Sequence, residues 1–357
     1  MNPHEYELDY VFGDTMPGPA QRVEVAPDVF WLRMPLPFAL DHINLYLLRD
    51  HYEGRDGWTL VDCGISSDPI RELWSRIFDG GLDGLPILRI ICTHTHPDHV
   101  GLADMIARRF DAPLWMTVGE YAMGRVLSSG LHGADGESAA AHFRRHGIPE
   151  GPALDAIRAR GGRYFKTLVP SMPDRFRRIR DHQTIRIGAR DWRVIIGIGH
   201  SPEHASLYCD GATGRGGPLL LSGDMVLPRI STNVSVFEIE PESDPVTWYL
   251  ESLHRFDECE TDTLVLPSHG KPFRHLHARL NQLHEHHVER LQVVLDACHA
   301  QPRSAAEIMP IMFQREFDTH QTTFAMGEAL AHLHALWHRG ELRRGAGDDG
   351  VVRFSPA

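Results

Sequence analysis

ILRIICTHTHPDHVG, residues Ile87 to Gly101, decides the reading of this chain: an apolar run breaks off into His94, His96, Asp98 and His99, four metal-capable side chains within six positions. Leu88 to Cys92 is short, rich in isoleucine and preceded by Gly84 and Pro86, so it reads as a buried strand, although periodicity alone leaves a helix open. Alternation along the last extended residues sends His94 and His96 to one side. The turn at Pro97 lets Asp98 and His99 face a second point nearby. That spacing suits two metals. In the LADMIARRF that follows, Leu102, Ile106 and Phe110 recur at helical spacing, which places the four side chains at a strand-to-helix junction.

A chain with 24 histidines brings some together by chance, but His-x-His-x-Asp-His is similar to the signature of the metallo-β-lactamase superfamily. The resemblance implies further ligands downstream, each closing an apolar strand-like run. His200 stands in GIGHSPEH after Val194 to Ile198, Asp224 in LLLSGD after Leu219 to Leu221, and His269 in LVLPSHG after Leu264 to Leu266. The expected fold is α/β, an αββα sandwich with an inserted helical lid and a C-terminal winged-helix domain. The whole resembles glyoxalase II-type hydrolases and the β-lactamase-like protein 2 subgroup.

The chain has 357 residues, 42% of them hydrophobic, enough for one large core and a small satellite domain. The net charge of −12 argues against non-specific coating of nucleic acid, which depends on Lys and Arg displacing counterions. Five widely spaced cysteines with no CxxC pair fit reduced thiols in a cytosol. The N-terminus has no basic start followed by an apolar stretch, and no window approaches the ~18 apolar residues of a membrane span. The expectation is a soluble, cytoplasmic protein.

Residues 1–21 read as a loose polar arm and 22–299 as the catalytic domain. VEVAPDVFWLRM suggests two strands around Pro27, and Ile43 to Asp50 with Trp58 to Gly64 a further pair turning at Glu53 to Gly57. Asp62 is either a turn carboxylate or, by resemblance to the family's Asp-x-Gly, a group that orients the ligands. Asp68 can cap a helix over Pro69 to Phe78. The stretch at about 119–185 reads as the lid. Arg144 to Arg193 holds 13 Arg and Lys against 5 Asp and Glu, either a solvated face or an electropositive mouth for an anionic small molecule. GATGRGG is a hairpin turn, since no GxxxxGK[ST] pattern exists. Glu203 stands where glyoxalase II relatives commonly have a small residue, which leaves the role of His204, behind the ligands or facing substrate, open. Arg229 and Asn233 are either loop residues or substrate contacts. Leu276, Leu280, Leu283, His287, Leu291 and Val294 follow the buried stripe of a long helix, whose other histidines, His284 and His286, and His287 itself, are expected to hold no metal and to be solvated. Residues 300–357 read as two helices and a hairpin, a winged-helix pattern. Its second helix, Thr322 to Gly340, has Arg339 as its only Arg or Lys, which suits a protein partner or a homo-oligomer better than DNA. Its removal is expected to leave the ligands untouched.

By the resemblance, His94, His96 and His200 hold one metal, Asp98, His99 and His269 the other, and Asp224 bridges them. Imidazole and carboxylate donors suit Zn²⁺ first, with Mn²⁺ or Fe²⁺ open. Two such cations roughly 3.5–4 Å apart hold a hydroxide formed near neutral pH, and Asp98, the catalytic candidate, orients it. The implied activity is hydrolysis of an acyl-CoA or glutathione thioester or another ester. Alternatives are a phosphodiesterase or endoribonuclease acting on RNA, a lactonase, and a non-catalytic metal-binding protein.

Overall fold

The apolar runs become the strands of two sheets in the computed structural model, which describes residues 2–129, 136–212, 216–313, 317 and 319–357. The first sheet runs in sequence order through β1 (Val23–Ala26), β2 (Val29–Pro35), β3 (His42–Tyr52), β4 (Arg55–Val61), β5 (Ile87–Ile91), β6 (Leu114–Met116) and β7 (Phe176–Arg178). β1 to β4 pair antiparallel, and β4 to β7 parallel. Helices α1 (Asp68–Arg76), α2 (Pro97–Val100) and α3 (Ala103–Phe110) make the parallel crossovers, and α4 (Val118–Ser129), α5 (Gly136–Arg145) and α6 (Pro152–Leu168) separate β6 from β7. The second sheet is built from β8 (Thr184–Ile187), β9 (Arg190–Gly197), β10 (His204–Cys209), β11 (Leu219–Gly223) and β12 (Leu264–Pro267), in the order β12-β11-β10-β9-β8. After β11 come α7 (Pro245–Leu253), α8 (Leu276–Ala300), α9 (Ala305–Met312) and α10 (Thr319–His338), then a hairpin of β13 (Leu342–Ala346) and β14 (Val352–Pro356).

Period-two alternation stacks these elements into four layers. Tyr46, Leu48 and Ile91 of the first sheet meet Val194, Leu207, Leu219, Leu221 and Leu266 of the second in a shared apolar interior. The alternate residues Ile43, Leu45, Leu47 and Ile90 turn outward onto Ile70 and Trp74 of α1 and Ile106 of α3. On the far side Ile195, Leu220 and Val265 pack under Tyr249, Leu283 and Leu330 of α7, α8 and α10. This is the αββα sandwich. The ligand-bearing segments leave the strands at one edge, where Ala205 N–H donates to Thr93 O across 2.8 Å and ties the two sheets together.

Several boundaries differ from those read in the sequence. The arm is not loose: Leu8 is buried, Asn2 N–H donates to Arg229 O, and Arg274 N–H donates to Asp9 O. Its polar composition hid backbone pairing that needs no apolar side chains. The insert contributes the three helices α4, α5 and α6 among the described residues, but residues 176–178 and 184–187 belong to the sheets. These strands are too short and arginine-rich to stand out by pattern. The β3–β4 turn closes at Glu53–Gly54, because pairing extends to Tyr52↔Arg55. Ser67, not Asp68, is the N-cap of α1, and no side chain caps it.

The tail shares the main core. Leu330, Leu333 and Leu336 lie in one buried cluster with Val265 and Phe273, so the apolar residues that suggested an assembly surface are consumed within the chain. Ser304 and Glu307 form a reciprocal cap at the start of α9, and Arg303 pairs with Phe354 beside the hairpin. His287 follows the buried stripe and is not solvated: it stacks on His332, with Nδ1 3.2 Å from that ring's Nε2. The helix α10 covers this face of α8. No helix among the described residues is long and apolar enough to cross a membrane.

Candidate metal centre

The end of β5 releases the chain into His94, Thr95 and His96, and Pro97 then starts α2, which carries Asp98 and His99. Two groups of ligand atoms result, each within 4.8 Å of one another: His94, His96, His200 and Asp224, and Asp98, His99 and His269. In the first, His94 Nε2 lies 2.9 Å from His96 Nδ1 and 3.2 Å from His200 Nε2. In the second, Asp98 Oδ2 lies 3.8 Å from His99 Nε2 and 3.4 Å from His269 Nε2. Asp224 faces both groups. Its Oδ2 is 3.4 Å from His200 Nε2, while its Oδ1 is 3.5 Å from His99 Nε2 and 3.4 Å from His269 Nε2.

Four of the five imidazoles, those of His94, His99, His200 and His269, are held from behind. His200 Nδ1–H donates to Asn233 O and His269 Nδ1–H to His42 O, both at 2.7 Å. His99 Nδ1 is 2.8 Å from Asp62 Oδ2. Thr93 Oγ1 stands 2.9 Å from the same oxygen and 3.0 Å from His94 Nδ1, so its hydroxyl relays Asp62 to a second imidazole. Asp62 thus supports one histidine of each group, and Thr93 N–H fixes its other oxygen at 2.8 Å. With Nδ1 committed to acceptors, Nε2 of His94, His99, His200 and His269 presents a lone pair inward, the form that binds a cation. His204 sits one layer back: Asp224 N–H donates to its Nε2 at 3.1 Å. Gly223 adopts φ +55° beside it, and a Cβ there would come within 2.3 Å of the His204 ring. Only glycine lets the peptide before Asp224 approach so closely.

The electrostatics of the bare cluster are those of a site built for positive charge. Burial, together with the charges of His99 and His96, drives His94 well below the usual imidazole range, and burial with His200 does the same to His96. Burial also lowers His99, but the carboxylates of Asp62, Asp98 and Asp224 outweigh it and raise the group to about 10. Asp224 is pushed up by burial yet held well below the carboxylate range by His269 and His99. His99 Nε2 and Asp224 Oδ1 are buried without a hydrogen-bond partner. A cation between them would satisfy both, so the donor set fits divalent metals.

Arg229 and Asn233 do not reach the cluster with their side chains. Arg229 is exposed and pairs with Glu5 at 3.1 Å, while the Asn233 side chain donates to Glu328 Oε2 at 3.3 Å and only its carbonyl serves His200. Part of the basic stretch is engaged in ion pairs: Arg144 and Arg158 with Glu150, Arg186 with Asp191, Arg193 with Glu258. It is therefore a solvated, self-compensated surface at these positions. Sequence reading missed Glu120, fully buried on α4, which accepts from Thr95 N–H and Glu203 N–H at 2.8 Å each. Burial raises its pKa. It also missed Asn44, whose Nδ2–H donates to Pro267 O and Gly270 O beside His269. Neither belongs to a metal-ligand residue pattern, so no spacing signal marked them.

The family model described as "Metallo-beta-lactamase superfamily" matches residues 39–269, and that of the "Metallo-beta-lactamase-like, C-terminal domain" matches 291–357. A crystal structure of a beta-lactamase domain protein from Burkholderia ambifaria is 55% identical, covers 99% of each chain and superposes with a TM-score of 0.92. The metallo-beta-lactamase family protein TTHA1429 from Thermus thermophilus is 27% identical over 94% of this chain and 100% of its own, with a TM-score of 0.74. The Bacillus subtilis (strain 168) protein called "Probable metallo-hydrolase YqjP" is 25% identical over 321 residues, 87% of this chain and 92% of its own.

Proposed function

The chain belongs to the metallo-β-lactamase superfamily, and from that membership we propose that it is a dinuclear metal-dependent hydrolase of a small activated acyl compound, a thioester or ester. The observation that carries this reading is Asp224, which turns one carboxylate oxygen to each group of ligands. His94, His96 and His200 would hold one ion and Asp98, His99 and His269 the other, with Asp224 available to both. The donors, imidazoles and carboxylates without a thiolate, suit Zn²⁺.

Bound there, two divalent cations supply a water acidified toward neutrality and an electrophile for the substrate oxygen. The chain's own residues set the geometry. Asp98 is the ligand most open to solvent among the acidic pair, with its side chain 18% exposed against 10% for Asp224. A carboxylate at the cluster's open side can accept a hydrogen bond from the attacking water and orient it. Asp62 and Thr93 hold the tautomers, and His204 fixes the peptide that presents Asp224. An acyl substrate is favoured over RNA or another phosphodiester by the chain's overall acidity, a net charge of −12 that opposes phosphate contacts. The chain has two lysines, and Lys271 is engaged by Gly13 O and Asp14. We read residues 22–299 as the catalytic unit with the arm 1–21 laid along it, and 300–357 as a winged-helix unit fused to its core.

The test is metal analysis followed by a screen of acyl-CoA and glutathione thioesters, lactones, phosphodiesters and RNA. The expected result is close to two metals per chain and turnover of an acyl substrate that stops on exhaustive chelation and returns with Zn²⁺. Turnover that survives removal of all metal refutes the reading.

A further inference from the structure

We propose that Glu120 and Glu203 form a reciprocal carboxylate lock through which the helical insert positions the first group of ligands, His94, His96 and His200. The inference rests on the reading of those histidines as metal ligands. Glu120 Oε2 accepts from Thr95 N–H at 2.8 Å, and Thr95 lies between His94 and His96. Its Oε1 accepts from Glu203 N–H at 2.8 Å, three residues beyond His200. One buried carboxylate therefore spans the two loops that supply all three imidazoles. The return bond comes from Glu203, whose Oε2 accepts from Gly119 N–H at 2.8 Å in the first turn of α4.

The second group is held by other means. Asp98 and His99 ride on α2, and His269 rests on His42 O beside the Asn44 contacts. No bond of the lock touches Asp98, His99 or His269, so the lock acts on one group. Two details show that α4 is fitted to this task. Glu120 and Gly124, one helical turn apart, are its two buried residues, and a Cβ on Gly124 would lie 2.6 Å from Thr95 Oγ1. A larger residue would push the helix, and Glu120 with it, away from the ligand loop. Both 2.8 Å partners of Glu120 are backbone donors. A carboxylate can accept from each, whereas an amide would set its own N–H₂ against one of them. Burying a carboxylate is costly unless such bonds compensate, which is why a charged group at this depth marks a constraint beyond packing. Glu203, the departure from the small residue common in glyoxalase II relatives, has its place explained by the same pairing.

The test uses the full-length protein, stripped with a chelator and titrated with Co²⁺ against a competing chelator, so that two affinities are resolved. The His269→Ala variant identifies which step belongs to the first group, because only that step should remain intact. Glu120→Gln should weaken the first-group affinity by about 10–100-fold, the range for partners behind metal ligands, and leave the second within about twofold. Glu203→Ala, which removes the acceptor for Gly119 N–H, should shift the same step in the same direction by less. A packing role alone would lower the melting temperature without separating the two affinities. Folded Glu120→Gln protein with both affinities unchanged, or with both reduced equally, overturns the lock. If Glu120→Gln does not fold, an unchanged first step in Glu203→Ala overturns it. Wild-type protein that takes up no metal overturns the ligand reading, and the lock with it.

Discussion

Replacing Asp62 by Asn is the sharpest test of how the two groups are coupled, because the substitution preserves size and removes only charge and one acceptor. Asp62 Oδ2 is 2.8 Å from His99 Nδ1 and 2.9 Å from Thr93 Oγ1, and Oδ1 is 2.8 Å from Thr93 N. All three neighbours approach as donors, so whichever way the Asn amide turns, its N–H₂ meets another donor. At least one charge-assisted bond is lost, worth about 1.5–3 kcal/mol. At 1.4 kcal/mol per decade this is roughly 10–150-fold in an equilibrium constant. The loss reaches His99 directly and His94 through Thr93, one ligand in each group. Both metal affinities should therefore fall, each by about 10–100-fold, unlike the one-sided effect expected for Glu120→Gln. Chelator-competition titration with Zn²⁺ measures both steps, and circular dichroism confirms the fold. Folded Asp62→Asn protein that binds both ions within about threefold of wild type would falsify the argument that the outer carboxylate sets the inner geometry.

Asp224→Ala should reduce metal content toward zero, since each of its oxygens faces a different group, whereas His269→Ala should retain close to one ion; equal stoichiometry in the two variants contradicts a bridging role. Removal of residues 300–357 should weaken the first metal group as well as expose apolar surface, because Gly327 O accepts from Val236 N–H and Glu328 accepts from the side chain of Asn233, whose carbonyl holds His200. A folded truncated chain with unchanged metal affinity removes the tail from the site. Burial lowers His146 to about 3, and its folded value thus lies below the ~6.5 of an unfolded histidine. The unfolded chain binds the extra proton between those values, so stability should fall as pH drops from about 6.5 toward 3, by up to about 1.4 kcal/mol per pH unit for this one group. His146→Gln should flatten the pH dependence of thermal stability by about one proton in that window; identical slopes for variant and wild type refute the assignment.

What was legible in the sequence was whatever periodicity or ligand spacing could carry. The run at Ile87 to Ile91 reads as a strand because it is short, apolar and stops at polar residues, and His200, Asp224 and His269 close equivalent runs. The rest was written in backbone. The arm at residues 2–9 is held by main-chain donors and acceptors that any polar sequence offers, and β7 and β8 are short strands whose arginines hide their alternation. The tail misled for a different reason. Its apolar stripe was visible, but a stripe does not say what covers it, and here it is covered by α7, α8 and α9 of the same chain.

The order of dependence in the site explains why its candidate ligands stand out in the sequence while most of its supports, Asp62 and His204 apart, do not. A ligand must be one of a few residue types at the end of a strand, whereas a support need only offer an acceptor at the right distance, and His42 and Asn233 do so with their carbonyl oxygens. A backbone carbonyl leaves no trace in residue type. Side-chain supports leave a faint one when they break expectation: Glu203 stood out as a charged residue beside His204, and Glu120 is an acid on the buried side of a helix. Each is anomalous alone, and together they are a bonded pair. A buried charge with no ligand spacing of its own is therefore the feature to follow from the sequence toward the machinery behind a metal site, since its cost obliges the fold to supply donors that converge on it.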